Sequence, residues 1–373
     1  MIFVVITIAV AYLITLYLLI IGFDKAPDFQ LTDTTPAKSF SVVIPFRNEA
    51  DNLPTLLKSI RQLSYPHHLF EIILVNDEST DHSLEIINTE TQSIKNIRVI
   101  NNQRHSESPK KDAIATAIKM AKFDWIITTD ADCSLPKYWL DSYDAFLKKR
   151  SCRMIIAPVN IERTSTFLEL FQVLDFLSLQ GATIGGFGLK RPFLANGANL
   201  GYDKSLFSEL DGFEGNTHIA SGDDMFLLEK ALKKFSLEIA YLKCNQAIVA
   251  TKPVSTWKSL IDQRSRWASK TKAYKSNFAK FIGLIVFLMN TLTLLLLPLL
   301  WSKHISLNTL VSVLLIKLSM DFYLIFKSAM FFNQTAYLKN YFFSFCLYPF
   351  LSVFIVLKTF SGFYVWKGRK FKS

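Results

Sequence analysis

Asp130-Ala131-Asp132 concentrates more potential chemistry than any other tripeptide of the chain. It follows the largely apolar run Trp125-Ile126-Ile127-Thr128-Thr129, so two carboxylates stand just past the end of a predicted buried strand. Carboxylates two residues apart on an extended chain project to the same side. Such a pair is unfavourable unless a cation or strong donors offset the repulsion. A hard divalent metal shared with phosphate oxygens would do so. A second reading stays open at this point: Asp132 or Ser134 could cap a helix starting at Pro136, because Ser or Asp followed by Pro is a common helix entry.

Further polar clusters follow other apolar runs. Arg47-Asn48-Glu49 comes after SFSVVIPF, and Asn76-Asp77-Glu78-Ser79 comes after FEIILV. The positioning elements are legible around them. Strands are predicted at 39–46, 70–75, 97–100 and 125–129, with helices between them at 49–63, 81–91 and 109–121. Such alternation predicts right-handed βαβ units and a mainly parallel sheet with helices on both faces. Strands buried on both faces read as nearly continuous apolar runs. Ligands of open parallel sheets bind beyond the carboxyl ends of the strands, and that is where the clusters fall. Neither G-x-G-x-x-G nor G-x-x-x-x-G-K-[ST] follows a strand, which disfavours dinucleotide and P-loop readings.

Beyond residue 150 the alternation fades. The stretch 165–179 is strongly amphipathic, which predicts a core-facing helix or a helix lying in a membrane plane. Gly181, Gly185, Gly186 and Gly188 then suggest a flexible loop able to act as a lid. Gly197-Ala198-Asn199 precedes a predicted helix at 204–210. Ser221-Gly222-Asp223-Asp224 opens another at 225–235, where acidic residues could be ordinary caps.

Half of the 373 residues are hydrophobic, and they are unevenly spread. Residues 1–23 carry no charge until Asp24 and are long enough to cross a bilayer, which takes about 20 residues. They lack the basic start and small-residue cleavage site of a signal peptide. Further candidate spans are 281–301, 305–326 and 341–366. Lys317 and Asp321 in the second lie four residues apart and could pair, lowering the cost of burying either. Pro349 is expected to break the third, which reads as re-entrant, interfacial or a hairpin.

The net charge of +11 would fit a nucleic-acid binder, but the basic residues flank the apolar segments. Lys25 and Lys38 follow the first, seven Lys and Arg between 258 and 280 precede the second, and Lys367, Arg369, Lys370 and Lys372 follow the last. The positive-inside rule explains this better and puts the soluble part in the cytosol. Three full C-terminal spans would leave the basic tail outside, hence the expectation of one incomplete span. Expected divisions are an anchor at 1–23, a soluble domain at 38–278, a bundle at 279–366 and a basic tail at 367–373. Four unpaired-looking cysteines suggest neither a disulfide framework nor a zinc site.

Taken together, the motifs resemble those of the family 2 nucleotide-sugar glycosyltransferases of GT-A fold, over about 41–267. The matching pieces are Val43-Ile44-Pro45 with Asn48-Glu49, Asn76 to Asp81, Lys110-Lys111-Asp112-Ala113-Ile114, Asp130-Ala131-Asp132, Gly197-Ala198-Asn199, Asp223-Asp224 and Gln263-Arg264-Ser265-Arg266-Trp267. The last is a Q-x-x-R-W signature, similar to that of membrane-embedded polysaccharide synthases and ceramide-glucosyltransferase-like enzymes. The resemblance implies that Pro45, Glu49, Asp77 and Lys111 line a nucleotide-sugar donor site. It implies that Asp130 and Asp132 orient the diphosphate and bind Mg²⁺ or Mn²⁺, with Asp132 the direct ligand. Asp224 would be the general base, Asn199 and Asp223 would face the acceptor, and Gln263, Arg266 and Trp267 would close over the diphosphate and acceptor. Arg264 reads instead as one of the positive-inside charges. Two departures are Asn76-Asp77 where Asp-Asp is common, and Asp223-Asp224 where Glu-Asp is common.

The implied activity is inverting transfer of a sugar from a nucleotide-sugar, a UDP-sugar by the motifs, to a lipid or lipid-linked acceptor. The implied site of action is the cytosolic face of a bacterial inner membrane. A processive polysaccharide synthase and a non-catalytic membrane scaffold are the competing readings, and a nucleic-acid partner is not expected.

Overall fold

The structure, a computed structural model, describes residues 1–373 except 93, 163, 164, 360–362, 368 and 373. Along the chain come α1 (Ile2–Lys25), β1 (Phe40–Phe46), α2 (Leu53–Arg61), β2 (Phe70–Asn76), α3 (Ser83–Thr91), β3 (Ile97–Asn101), α4 (Pro109–Met120), β4 (Trp125–Thr128), β5 (Cys133–Ser134) and α5 (Trp139–Lys149). Then follow β6 (Met154–Ile156), β7 (Val159–Ile161), α6 (Phe167–Gly188), β8 (Leu200–Asp203), α7 (Lys204–Glu209), α8 (Asp223–Phe235), β9 (Ile239–Tyr241) and β10 (Val249–Thr251). The last are α9 (Trp257–Ser269), α10 (Asn277–Trp301), α11 (Leu307–Phe331), α12 (Tyr341–Lys358), β11 (Phe363–Trp366) and β12 (Arg369–Lys372). The chain divides into two compact units, one of 27–162 and 195–252, the other of 1–26, 163–194 and 253–373.

The first unit is an α/β fold. Its seven-stranded sheet has the order β3-β2-β1-β4-β8-β6-β9, with a small sheet β5-β10-β7 beside it. β1 to β4 are mutually parallel, and β8 runs antiparallel between β4 and β6. The apolar strands explain the arrangement: Val42, Val43, Ile44, Ile72, Ile73, Leu74, Ile126 and Ile127 are wholly buried. Each contributes on the order of 1.5–3 kcal/mol by leaving water. Register fixes where the polar clusters land. Phe46 is level with Asn76, and Val43 is level with Thr128, so Arg47, Asp77 and Asp130 emerge at the same edge. Asp144 on α5 ties down the chain entering β1, accepting hydrogen bonds from the amides of Ala37 (3.0 Å) and Lys38 (2.6 Å) and from the Tyr65 hydroxyl (3.1 Å).

The second unit holds α1, α6 and α9 to α12. Among the described residues, five helices are long and apolar enough to cross a membrane: α1, α6, α10, α11 and the segment 335–358 that ends in α12. Two expectations are corrected here. The glycines at 181, 185, 186 and 188 form no lid loop; they lie inside α6, whose start is fixed by a reciprocal Thr166–Glu169 capping box. They serve close packing. A Cβ on Gly185 would strike the Leu19 carbonyl, and one on Gly188 or Gly22 would strike backbone of the facing helix. Small residues let apolar helices approach this way. Pro349 does not break its segment either, because α12 runs through it from Tyr341 to Lys358. The expected span 341–366 ends there; residues 360–362 lie outside the described residues, and β11 pairs with β12 beyond them. Lys317 and Asp321 do pair, at 2.6 Å, with the Tyr12 hydroxyl donating to the same carboxylate.

Candidate active site

The polar edge of the α/β unit is built from loops that cross-brace one another. After β1 and β2 the chain passes through Asn48 (φ 51°) and Glu78 (φ 57°), left-handed positions that need local support. The Asn48 amide donates to Ser79 Oγ (3.1 Å), Thr80 N donates to Asn48 Oδ1 (2.8 Å), and Arg47 Nη1 donates to the carbonyls of Asp77 (2.7 Å) and Glu78 (2.8 Å). Asp81 accepts from Ala50 N and Ser83 N. Burial raises its pKa, and these bonds more than offset that, leaving it below the ordinary value. Asp77 is buried, with Oδ1 accepting from Asn102 Nδ2 at 2.7 Å, while Glu49 accepts from Asn52 Nδ2 at 2.7 Å. Pro45 lies within β1, level with Val75.

The acidic residues beyond β4 meet a cation. Lys110, at the start of α4, places Nζ 2.7 Å from Asp130 Oδ1 and 3.3 Å from Asp223 Oδ2. Burial disfavours its charge, but Asp130, Asp223 and Asp224 outweigh burial and hold its pKa above the ordinary value. Asp223 and Asp224 open α8 after Gly222 (φ 85°). Asp224 Oδ2 accepts from the Gly197 amide at 3.1 Å, and Oδ1 accepts from the Met225 amide at 2.7 Å. A Cβ on Gly197 would lie 2.8 Å from Asp223 Oδ2, so a side chain there would force that carboxylate to shift. One unit thus brings together Asp130, Asp223, Asp224 and Lys110 from the segment after β4, from α8 and from α4.

The helix-cap alternative for Asp132 or Ser134 fails. Ser134 belongs to β5, and the next helix begins at Trp139 behind Tyr138 with no side-chain cap. Two other expected roles also meet contrary geometry. Lys111 is buried, with Nζ donating to the carbonyls of Asn216 (2.7 Å) and Ile219 (2.8 Å) and lying over the Phe226 ring, so its neighbour Lys110 is the lysine among the carboxylates. Asn199 is wholly buried and saturated. Its Oδ1 accepts from Trp139 Nε1 and Tyr143 Oη, both at 2.9 Å, and its Nδ2 donates to the carbonyls of Pro158 and Ala247, both at 2.8 Å. It braces the core and offers nothing to an acceptor.

The donor set suits a hard cation. Among the described residues, no three His, Cys, Asp or Glu side chains are grouped closely enough to hold a metal unaided. Asp130 and Asp132 supply one or two carboxylates, the number Mg²⁺ uses alongside phosphates. The Lys110 ammonium between Asp130 and Asp223 marks a place where a positive charge is stabilised. Burial, then the charges of Asp132 and Asp130, push the Cys133 thiol well above the ordinary range.

Gln263, Arg266 and Trp267 stand on α9 in the other unit. There Arg264, read from sequence as a positive-inside charge, is buried. Its Nε donates to Asp175 Oδ2 at 2.7 Å, its Nη1 donates to Gln263 Oε1 at 2.6 Å, and its guanidinium lies 4.2 Å from the Trp267 ring centre. The sequence signal was its place inside the Gln263-to-Trp267 motif.

Known proteins match these parts. Residues 125–362 fit the family described as Glycosyl transferase family group 2, and residues 41–168 fit Glycosyl transferase family 2. The chain is 26% identical over 61% of its length to the probable glycosyltransferase YdaM of Bacillus subtilis, covering 54% of that protein. It is 36% identical over 27% of its length to an undecaprenyl-phosphate 4-deoxy-4-formamido-L-arabinose transferase of Pseudomonas savastanoi pv. phaseolicola, covering 30% of it. The first curated relatives are thus spanned over only 14% to 54% of their lengths. The fold is that of the mannosyltransferase PcManGT from Pyrobaculum calidifontis, solved with GDP-Man and Mn²⁺. That match has a TM-score of 0.56 at 16% identity and covers 93% of this chain and 99% of that one.

Proposed function

The chain belongs to glycosyl transferase family group 2, and on that premise we propose that it moves a sugar from a nucleotide-sugar, a UDP-sugar by its motifs, to a lipid or lipid-linked acceptor. The observation that carries this reading is the meeting of Asp130, Asp223 and Asp224 around one cation at the strand ends. In it, Glu49 and Asp77 hold the nucleoside, and Asp130 and Asp132 would hold Mg²⁺ or Mn²⁺ beside the donor's diphosphate. The bound metal would neutralise charge on the leaving diphosphate.

Asp224 accepts the proton of the acceptor hydroxyl while that oxygen bonds to the sugar C1. The bond from C1 to the diphosphate breaks in the same displacement, and its electron pair leaves with the diphosphate. One displacement inverts the anomeric centre. A positioned base contributes on the order of 10²–10⁴-fold, and the bonds from the Gly197 and Met225 amides fix the Asp224 carboxylate for that task. Gln263, Arg266 and Trp267 keep in this reading the roles that the Q-x-x-R-W resemblance implies for them. The five apolar helices support an integral membrane enzyme, and the placement of its basic residues supports a cytosolic catalytic domain at a bacterial inner membrane.

The test uses the purified full chain with a panel of nucleotide-sugars, Mg²⁺ or Mn²⁺ and a bacterial lipid extract. Release of nucleoside diphosphate with a single new glycolipid is expected. A ladder of polymer lengths would replace single transfer by processive synthesis, and no release with any donor would sink the reading.

A further inference from the structure

α8 carries Asp223 and Asp224 in its first turn, and the loop before it decides where that turn stands. Two glycines leave the loop loosely determined. Gly215 (φ 80°) and Gly222 (φ 85°) both take left-handed backbone. Glycine populates either sign of φ with similar ease, so neither residue fixes the path of the chain. A side chain at Gly215 would meet nothing within 4 Å, so no packing holds the loop there. A catalytic group tolerates little of this freedom, since a misplacement of about 1 Å can cost about 10²-fold. The amides of Gly197 and Met225 orient the Asp224 carboxylate, but they do not set where the helix starts.

Lys111 supplies the missing hold. It is only 1% exposed, and its Nζ donates to the carbonyls of Asn216 at 2.7 Å and Ile219 at 2.8 Å. The Ile219 amide turns back onto the Asn216 carbonyl at 3.2 Å, so both acceptors belong to one turn that closes around the ammonium. Hydrogen bonds from an ionised donor are roughly twice as strong as neutral ones. The same Nζ lies 4.8 Å from the centre of the Phe226 ring. Phe226 stands two residues after Asp224, and its amide donates to the Gly222 carbonyl at 3.0 Å as α8 begins. One ammonium therefore holds both the loop and the helix start that the loop feeds. Lys110, the preceding residue, reaches Asp223 Oδ2 at 3.3 Å. The first turn of α4 thus holds the first turn of α8 at two separate points.

We propose that Lys111 is a positioning residue for Asp224, acting through the 216–219 turn and the Phe226 ring rather than by contact with the donor. The proposal rests on the reading of Asp224 as the base. It replaces the donor-lining role that the motif resemblance implies for Lys111.

The test uses the purified full chain in detergent. Lys111→Met keeps the length of the side chain and removes its donors. Hydrogen exchange of the amides of 213–226, followed by mass spectrometry with neither donor nor metal, should quicken by about tenfold or more, with β1 to β4 unchanged. Turnover with the donor found active in the panel should fall about tenfold to a hundredfold, while affinity for UDP with Mn²⁺, read by calorimetry, stays within about twofold. Lys111→Arg, which keeps a cation and its donors, should recover much of both losses. In an Asp224→Asn background, Lys111→Met should cost almost nothing further, because the two residues act through one carboxylate. Lys111→Gln, which keeps a donor for one carbonyl, is judged by the same criteria where Lys111→Met does not fold.

Unchanged exchange at 213–226 overturns the proposal. So does a loss of UDP affinity as large as the loss of turnover, which would return Lys111 to the donor site. A full further loss in the Asp224→Asn background overturns it as well. Parental turnover in Asp224→Asn beside faster exchange in Lys111→Met would remove the base reading and leave the anchored turn standing. A deep loss in Asp224→Asn beside unchanged exchange and turnover in Lys111→Met would overturn this inference alone.

Discussion

Arg264 Nε lies 2.7 Å from Asp175 Oδ2, with both residues buried, and the pair ties α9 to α6. Through its bond to Gln263 and its place over Trp267, Arg264 holds two residues of the Q-x-x-R-W motif in one arrangement. Removing one partner of a buried pair leaves the other charge uncompensated, at a cost of about 3–5 kcal/mol. Asp175→Ala should therefore lower the unfolding midpoint strongly. Asp175→Glu, which keeps the charge, should recover much of the loss. Near-ultraviolet circular dichroism against temperature in detergent measures both, and an Asp175→Ala midpoint equal to that of the parent chain would contradict the buried pair.

The sequence announces the strand ends well, because an apolar run followed by a polar cluster encodes both burial and emergence. Phe46, Asn76 and Thr128 close their strands within about a residue of expectation. It is silent on who meets whom across long separations. Arg264 and Asp175 lie 89 residues apart, so charge counting alone makes Arg264 look like a positive-inside charge. Lys110 and Lys111 are adjacent in α4, and only the helix phase decides which faces the carboxylates. The glycines of α6 look like a loop because helix propensity penalises them, whereas packing against Leu19 and Gly22 requires Gly185 and Gly188.

Asn199 gives a second prediction. Asn199→Ala deprives Trp139 Nε1, Tyr143 Oη and the carbonyls of Pro158 and Ala247 of a partner. Each buried group left unpaired costs about 1–3 kcal/mol. A loss of several kcal/mol is expected, with donor affinity of the folded fraction unchanged. Titration of a UDP-sugar beside chemical denaturation checks this. A stable variant with impaired acceptor use would restore the acceptor-side role.

Asp224 and Asp132 should separate cleanly. Asp224→Asn keeps the oxygen that can accept from the Gly197 or Met225 amide but loses the basic carboxylate. Turnover is expected to fall by about 10²–10⁴-fold, with donor affinity close to that of the parent chain. Asp132→Ala should instead remove the Mn²⁺ dependence of donor binding, read by calorimetry with and without the metal. Equal turnover in Asp224→Asn would remove it as base, and an unaltered metal dependence in Asp132→Ala would remove that residue as ligand.

Asp203 sets an acid limit on stability. Its Oδ1 accepts from the Leu206 amide at 2.5 Å, capping α7, and from Ser205 Oγ at 2.6 Å, while Oδ2 accepts from Arg153 Nε at 2.8 Å. Burial raises the carboxyl pKa, but these partners lower it further than burial raises it, so it ends below the ordinary 3.8. A depressed folded-state pKa means stabilisation that is complete above the unfolded value and lost as pH falls through the folded one. Asn caps helices about as well as Asp, so Asp203→Asn isolates the charge. The midpoint of Asp203→Asn should lie below the parent's by a constant margin from pH 7 to pH 5, because a neutral acceptor makes weaker bonds than a charged one. That margin should close as pH drops below about 3.8, where the unfolded carboxyl is already protonated and the folded one follows. Arg153 stays cationic throughout, since its bonds to Asp203 and Glu209 raise its pKa further. A margin that widens on acidification would reverse the sign and refute the charge-based account.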